Sequence, residues 1–210
     1  MRRLAAAALL AAAACSSPSS PPDYSPIYDL LGRLQETVTV QGHGAYHPAN
    51  NALQKELWAR LQSLPAGPGA DKVLVAAAEK VYTRYDENYY NGHLWHWPYL
   101  CSRRAIELCD RALKDASTPE IRERALWLKA FALRCPPTEP SDQVERDLET
   151  YAEQRRWQPD YKAARETYRV IASEFPQTPF GIAARKLADQ ADLSVTLPKD
   201  PRERDPRNPD

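Results

Sequence analysis

The chain has 210 residues, 43% of them apolar, and its 28 Lys and Arg balance 28 Asp and Glu. That balance excludes the strong basic excess that nucleic-acid binding rewards. With 19 prolines and only seven glycines, the composition favours many short, well-punctuated elements over glycine loops that approach phosphates closely.

The N-terminus carries the most specific signal. Arg2 and Arg3 precede an unbroken Leu/Ala run, Leu4 to Ala14, which stops at Cys15. The run is far shorter than the roughly 20 apolar residues needed to span a bilayer, and it fits the apolar core of a secretory signal. Leu10-Ala-Ala-Ala-Ala-Cys15 resembles the lipobox of bacterial lipoproteins, with small residues directly before the cysteine and Ala12 where that family usually has Leu. The resemblance implies that residues 1–14 are a signal peptide and that Cys15 carries the lipid, a palmitate-type anchor of more than one acyl chain. It also implies that Ser16 directs the protein to the periplasmic side of the outer membrane. Losing Arg2 and Arg3 leaves 26 basic residues against 28 acidic ones. The alternative is an ordinary cleaved signal with an incidental cysteine.

Residues 15–26 follow as a lipidated Cys and a Ser/Pro-rich tether, SSPSSPPDYSP after the cysteine. Fully extended at about 3.1 Å per residue, it reaches roughly 35 Å. Residues 27–197 then read as one helical domain, dominated by Leu, Ala, Arg, Glu and Lys. Only Glu36 to Gln41, ETVTVQ, hints at a strand, and it has no partner.

Caps and prolines predict about eight helices. Ser25-Pro26 opens Ile27 to about Thr37. Asn50 opens a helix to Leu64, with Leu53, Leu57, Leu61 and Leu64 on one face. Asp71 opens a long helix to about Tyr90, which carries Tyr82, Tyr85 and Tyr89 as a stripe. Pro98 opens a helix to Asp115, Thr118-Pro119 one to Arg134, and Ser141 one to Trp157. Asp160 opens a helix to Phe175, and Thr178-Pro179 the last, to Gln190. Short Pro-rich connections between them predict an all-α fold of antiparallel helix pairs, a bundle or an irregular solenoid. Residues 198–210 have no apolar side chain and read as a disordered tail.

Within this pattern, Ala164, Tyr168, Ile171 and Pro176 resemble the second helix of a tetratricopeptide repeat, which spaces a small residue, an aromatic, an Ala and a Pro in this way. A weaker copy lies at Ala105, Cys109 and Ala112, 59 residues earlier, against a standard period of about 34. The resemblance implies a TPR-like α-solenoid, irregular rather than a regular array.

Three further cysteines remain. Cys101 and Cys109 lie about 12 Å apart along one helix, beyond the roughly 7 Å limit for a bridge. Folding the chain at Ser117 brings Cys101 opposite residue 133, close to Cys135. A Cys101–Cys135 disulfide is therefore expected in an oxidising compartment, with free buried thiols as the alternative.

The stretch YYNGHLWHWPYLC, Tyr89 to Cys101, crowds aromatics, two histidines and a cysteine into one connection. It reads either as an aromatic cap on the core or as a contact surface, with Tyr89, Trp95, Trp97 and Tyr99 as the binding candidates. His93 and His96, and His43 and His47, sit among Gly and Pro in loops, without an acidic residue inside either motif. No metal and no cofactor are expected. No nucleophile elbow, phosphate loop or dinucleotide fingerprint is present, so the chain reads as a non-enzyme. The expected function is a lipid-anchored envelope scaffold or adaptor that binds other envelope proteins, with envelope assembly among the processes that the tetratricopeptide resemblance implies. The alternative is a periplasmic lipoprotein that binds a small ligand or glycan through residues 89–99.

Overall fold

The computed structural model describes residues 22–40, 48–83, 88–90, 93–95, 101–135, 137 and 149–194. The signal segment, Cys15 and most of the tether, the tail from Pro198, the two histidines His43 and His47, and Trp97 and Tyr99 lie outside the described residues. Among the described residues there are eight α-helices: α1 (Ser25–Val40), α2 (Pro48–Gln62), α3 (Ala70–Ala77), α4 (Ser102–Lys114), α5 (Pro119–Arg134), α6 (Glu149–Arg155), α7 (Tyr161–Glu174) and α8 (Pro179–Asp189). The fold is all-helical but for one short hairpin, β1 (Asn88–Tyr90) with β2 (His93–Trp95). No helix among the described residues is long and apolar enough to cross a membrane.

The caps do what their chemistry allows. Thr118, Asp160 and Thr178 each accept a backbone N–H from the first turn of α5, α7 and α8, and Pro119 and Pro179 occupy the position where a missing N–H is harmless. Two helix ends differ from their expected places. α1 runs past Thr37 to Val40, taking in most of the stretch that hinted at a strand, because β-branched residues without a partner strand gain nothing by extending. The long helix from Asp71 does not reach Tyr90. It passes into a π-helical turn, Ala78–Tyr82, and stops at Thr83. Both the Thr83 amide and its hydroxyl donate to the Ala78 carbonyl, at 2.9 and 2.8 Å, and so close the turn. Tyr89 therefore sits in β1, and α4 starts at Ser102, four residues later than Pro98 suggests.

The helices alternate in direction between two ends. At one end, where the described chain enters, the Tyr24 hydroxyl donates to Pro65 O (3.3 Å) and Ser117 N donates to Asp71 (2.7 Å). Arg122 also pairs with Glu174 there (2.7 Å). At the other end, Cys101 N donates to Tyr82 O (3.0 Å), Thr150 bonds Gln54 (3.1 Å) and Asp160 N donates to Leu133 O (2.8 Å). These ties make α1, α3, α5 and α8 run away from the entry end, and α2, α4 and α7 run back. The segment that carries the hairpin begins after Tyr82 and returns at Cys101, both at the far end.

The core has two main parts that share α5. Leu30, Leu31, Leu34, Leu57, Leu61, Val73, Leu108 and Cys109 form one cluster with Ala125, Leu128 and Ala132 of α5. Leu126, Trp127 and Ala130, on other sides of the same helix, pack against Tyr168, Ile171, Phe180 and Ala184. An α-helix apolar on nearly all sides is a buried one, and α5 is the shared wall. Trp127 anchors the second part with Tyr168 and Phe180, ring centroids 5.6 and 5.1 Å away.

Candidate functional site

The far end holds an unusual buried polar cluster, built where α2, α4, α6 and the turn at Tyr82 meet. Arg104, in the first turn of α4, is only 2% exposed. Its guanidinium carbon lies 4.6 Å from the Trp58 ring centroid and 5.9 Å from that of Tyr82, while the two rings meet edge-on at 5.5 Å. Facing it is Glu153 of α6. Arg104 donates through Nε (3.1 Å) and Nη2 (2.6 Å), Arg103 donates through Nη2 (2.8 Å), and the Cys101 thiol donates at 3.2 Å, all to this carboxylate. The next residue, Gln154, accepts Ser102 N through Oε1 (2.7 Å), and Thr150, about one turn before Glu153, donates to Gln54. Thus α6, seven residues long, docks chiefly by polar contacts. The Ser102 hydroxyl and Gln54 Nε2 are buried beneath it with no hydrogen-bond partner among the described residues.

The electrostatics hold every group in its resting state. Burial pushes the Cys101 thiol up to about 12, with the nearby Glu153 charge adding to it and Arg104 opposing it. The sulfur is thus a protonated donor, not a nucleophile. Burial opposes ionisation of Glu153, but hydrogen bonds from Arg104, Cys101 and Arg103 hold its pKa below the ordinary carboxylate value. Burial likewise opposes the charge on Arg104, and Glu153 more than restores it. Burial raises the Tyr82 phenol. The arrangement fastens α6 to α4, and none of these side chains is poised to exchange a proton near neutral pH.

The expected site residues are divided by the structure. Tyr89 and Trp95 lie in the hairpin, where the register sets Tyr89 against Leu94 and Trp95 against Asn88. Cys101 is the N-cap residue of α4 and Cys135 ends α5. The expected Cys101–Cys135 disulfide is not formed; Cys101, Cys109 and Cys135 are all buried thiols. The reason is which side each faces: Cys101 turns to Glu153 on the α2 side of the fold, whereas Cys135 neighbours Tyr168 on the α7 side. Among the described residues no three His, Cys, Asp or Glu side chains are grouped to hold a metal ion.

Arg104, Glu153 and Trp58 escaped sequence reasoning, and Tyr82 entered it only as part of an aromatic stripe. Arg104 did leave a signal, since it lies four residues before Leu108 and eight before Ala112, on a stripe that is otherwise buried and apolar. A charge at a core position demands a partner. Nothing local identifies Glu153 as that partner, because it is 49 residues away.

A concavity of about 680 Å³ opens at the entry end between the α2–α3 connection and the α4–α5 turn. Leu64, Pro65, Pro68 and Leu74 form its apolar walls, and Asp71, Arg111 and Lys114 its polar ones. Asp71 is buried. Burial opposes its charge, but bonds from Ser117 and Lys72 keep its pKa below the ordinary value.

No protein-family model, no curated protein and no solved structure matches this chain, so its function is argued from its own residues.

Proposed function

We propose that the protein is a lipid-anchored helical-repeat scaffold of the cell envelope, held through Cys15 on the periplasmic side of the outer membrane. It binds another polypeptide at the end that carries the hairpin. The observation that supports this most is the separation of the two ends. The chain enters at one, by Tyr24 and Pro65, while the aromatic-rich connection with Tyr89 and Trp95 leaves the fold at the other, between Tyr82 and Cys101. An anchor at the entry end therefore leaves the aromatic end facing outward. Aromatic residues supply much contact area at small entropic cost and dominate binding hot spots.

The repeat reading has its own support. Ala164, Tyr168 and Ile171 are the buried residues of α7, and Ala105, Cys109 and Ala112 are all fully buried on α4. These are the positions through which tetratricopeptide helices pack.

Cross-linking of the full chain in intact cells tests the reading. A defined cross-linked polypeptide, lost when Trp95 and Trp97 are both changed to Ala while the helical circular dichroism is retained, is the expected result. A cross-linking pattern indifferent to both changes, or thermal stabilisation of the purified protein by oligosaccharides alone, would turn the reading toward a glycan-binding lipoprotein. Mass spectrometry of the N-terminal peptide tests the anchor separately, with a diacylated Cys15 expected.

A further inference from the structure

We infer that the concavity at the entry end is the seat of the chain's own Ser/Pro segment, Ser16-Ser17-Pro18-Ser19-Ser20-Pro21. The described chain begins already fastened to the rim. Pro22 packs over Gly67 so closely that a Cβ there would lie 3.1 Å from Pro22 Cγ. The Tyr24 ring passes 3.6 Å from the corresponding point on Gly69, whose φ of 90° is natural only for glycine. The Tyr24 hydroxyl donates to Pro65 O at 3.3 Å. Three residues of the Pro65–Gly69 loop thus hold Pro22 and Tyr24, and the same loop forms one wall of the concavity.

The chemistry of the walls suits this occupant. A Ser/Pro segment favours the polyproline II form, whose carbonyls find no partners within the segment itself. Six residues at about 3.1 Å each span roughly 19 Å, enough to cross the concavity from Gly67. Leu64, Leu74, Pro65 and Pro68 offer apolar surface for the proline rings. Arg111, which already donates to Leu61 O at 2.8 Å, and Lys114, which has no ion-pair partner among the described residues, offer donors for the carbonyls. Asp71 and Asp115 offset Arg111 and Lys114, so the lining carries no net charge to attract an ion of either sign. A neutral, carbonyl-rich strand matches that balance. Because Pro22 is covalently continuous with the segment, docking is intramolecular and needs little intrinsic affinity.

The seat itself does not require acylation. Combined with the proposed anchor at Cys15, it shortens the tether and turns the α2–α3 and α4–α5 connections toward the membrane.

The test is amine acetylation of the full chain, read peptide by peptide, with exposed Lys162 as the internal reference. Lys114 is expected to react about threefold or more slowly in the native chain than in a variant with Ser16–Pro21 replaced by a Gly/Ser hexamer, as a seat filled more than about two-thirds of the time requires. The rate at Lys162 should stay the same. Equal Lys114 rates in the two chains would overturn the inference. Protection that survives the replacement and rises with protein concentration would overturn it too, assigning the concavity to a second copy. A Tyr24→Ala variant, checked for unchanged helix content, should lose much of the protection without any change to the segment. The mass of the N-terminal peptide reports acylation independently, so an empty seat and an absent anchor are separate results.

Discussion

Arg104 and Glu153 form a paired contact at the far end of the fold, with Nη2 2.6 Å from Oε1, an arginine side chain 2% exposed and a glutamate side chain 21% exposed. The pair joins α4 to α6 beside the Arg103–Glu153 and Ser102–Gln154 bonds, and it stacks its cation on Trp58. Buried ion pairs contribute little net stability compared with apolar residues of equal shape, but removing one partner strands the other charge. Glu153→Ala is therefore expected to lower unfolding stability by on the order of 3 kcal/mol, read as a drop in the urea midpoint. Arg104→Met combined with Glu153→Leu should lose much less than Glu153→Ala alone. If the double variant is the weaker of the two, the pair contributes net stability and the stranded-charge account fails.

The same pair sets a pH dependence. The folded-state pKa of Glu153 is held below its ordinary value because the hydrogen bonds from Arg104, Cys101 and Arg103 outweigh burial. Its contribution to stability is complete above the unfolded value of about 4.3 and is lost as pH falls through the lower folded value. Stability of the native chain should therefore fall on acidification below about pH 4, and Glu153→Gln should flatten that slope. Urea midpoints taken from pH 7 down to pH 3 measure it. An identical slope in the variant would show that other carboxylates carry the acid sensitivity.

Much of the fold was legible in the sequence because its helix ends are written locally. Thr118-Pro119, Asp160 and Thr178-Pro179 each mark a start within one residue of the observed one. Leu53, Leu57 and Leu61 fall on the buried face of α2 as their spacing requires. The end of α3 was not legible, because a π turn preserves helical composition while shifting the register, and its stop depends on one threonine, Thr83, bonding back five residues. The polar cluster was hidden for another reason. Arg103-Arg104 looks like a solvated pair, and only the tertiary approach of α6 and Trp58 separates an exposed Arg103 from a buried Arg104. The disulfide expectation failed on the same kind of information. Sequence spacing placed Cys101 and Cys135 at one end of a helix pair but could not say that they face different neighbours.

Those thiols give a direct chemical prediction. Cys101, Cys109 and Cys135 are buried, and burial pushes the Cys101 thiol up to about 12. A thiol reagent at pH 8 should leave all three unmodified in the folded protein and modify all three in urea without added reductant. A pair that reacts only after reduction would mean that Cys101 and Cys135 are joined after all. Partial labelling of Cys101 alone in the folded state would instead report that α6 leaves its place, since Glu153 is the cover on that sulfur.

Two glycines test the packing from opposite directions. Gly181 sits at the start of α8, where a Cβ would fall 1.7 Å from the carbonyl oxygen of Phe175. That oxygen belongs to backbone, and it also accepts the Thr178 amide and hydroxyl. It cannot yield without disturbing the α7–α8 turn. Gly181→Ala is expected to cost about 1–3 kcal/mol, the usual range for forcing extra volume into a packed site. Gly32 lies in the middle of α1, and a Cβ there meets nothing within 4 Å. Gly32→Ala should stabilise by about 0.5–1 kcal/mol, because alanine loses less backbone freedom on entering a helix. Thermal melts of the two variants beside the native chain should bracket it, Gly181→Ala melting below and Gly32→Ala above. A neutral Gly181→Ala would mean that the α7–α8 turn is looser than the close approach of Phe175 to Gly181 requires, and the second core around Trp127 would then lose the clamp that Thr178 and Glu123 hold at its entry end.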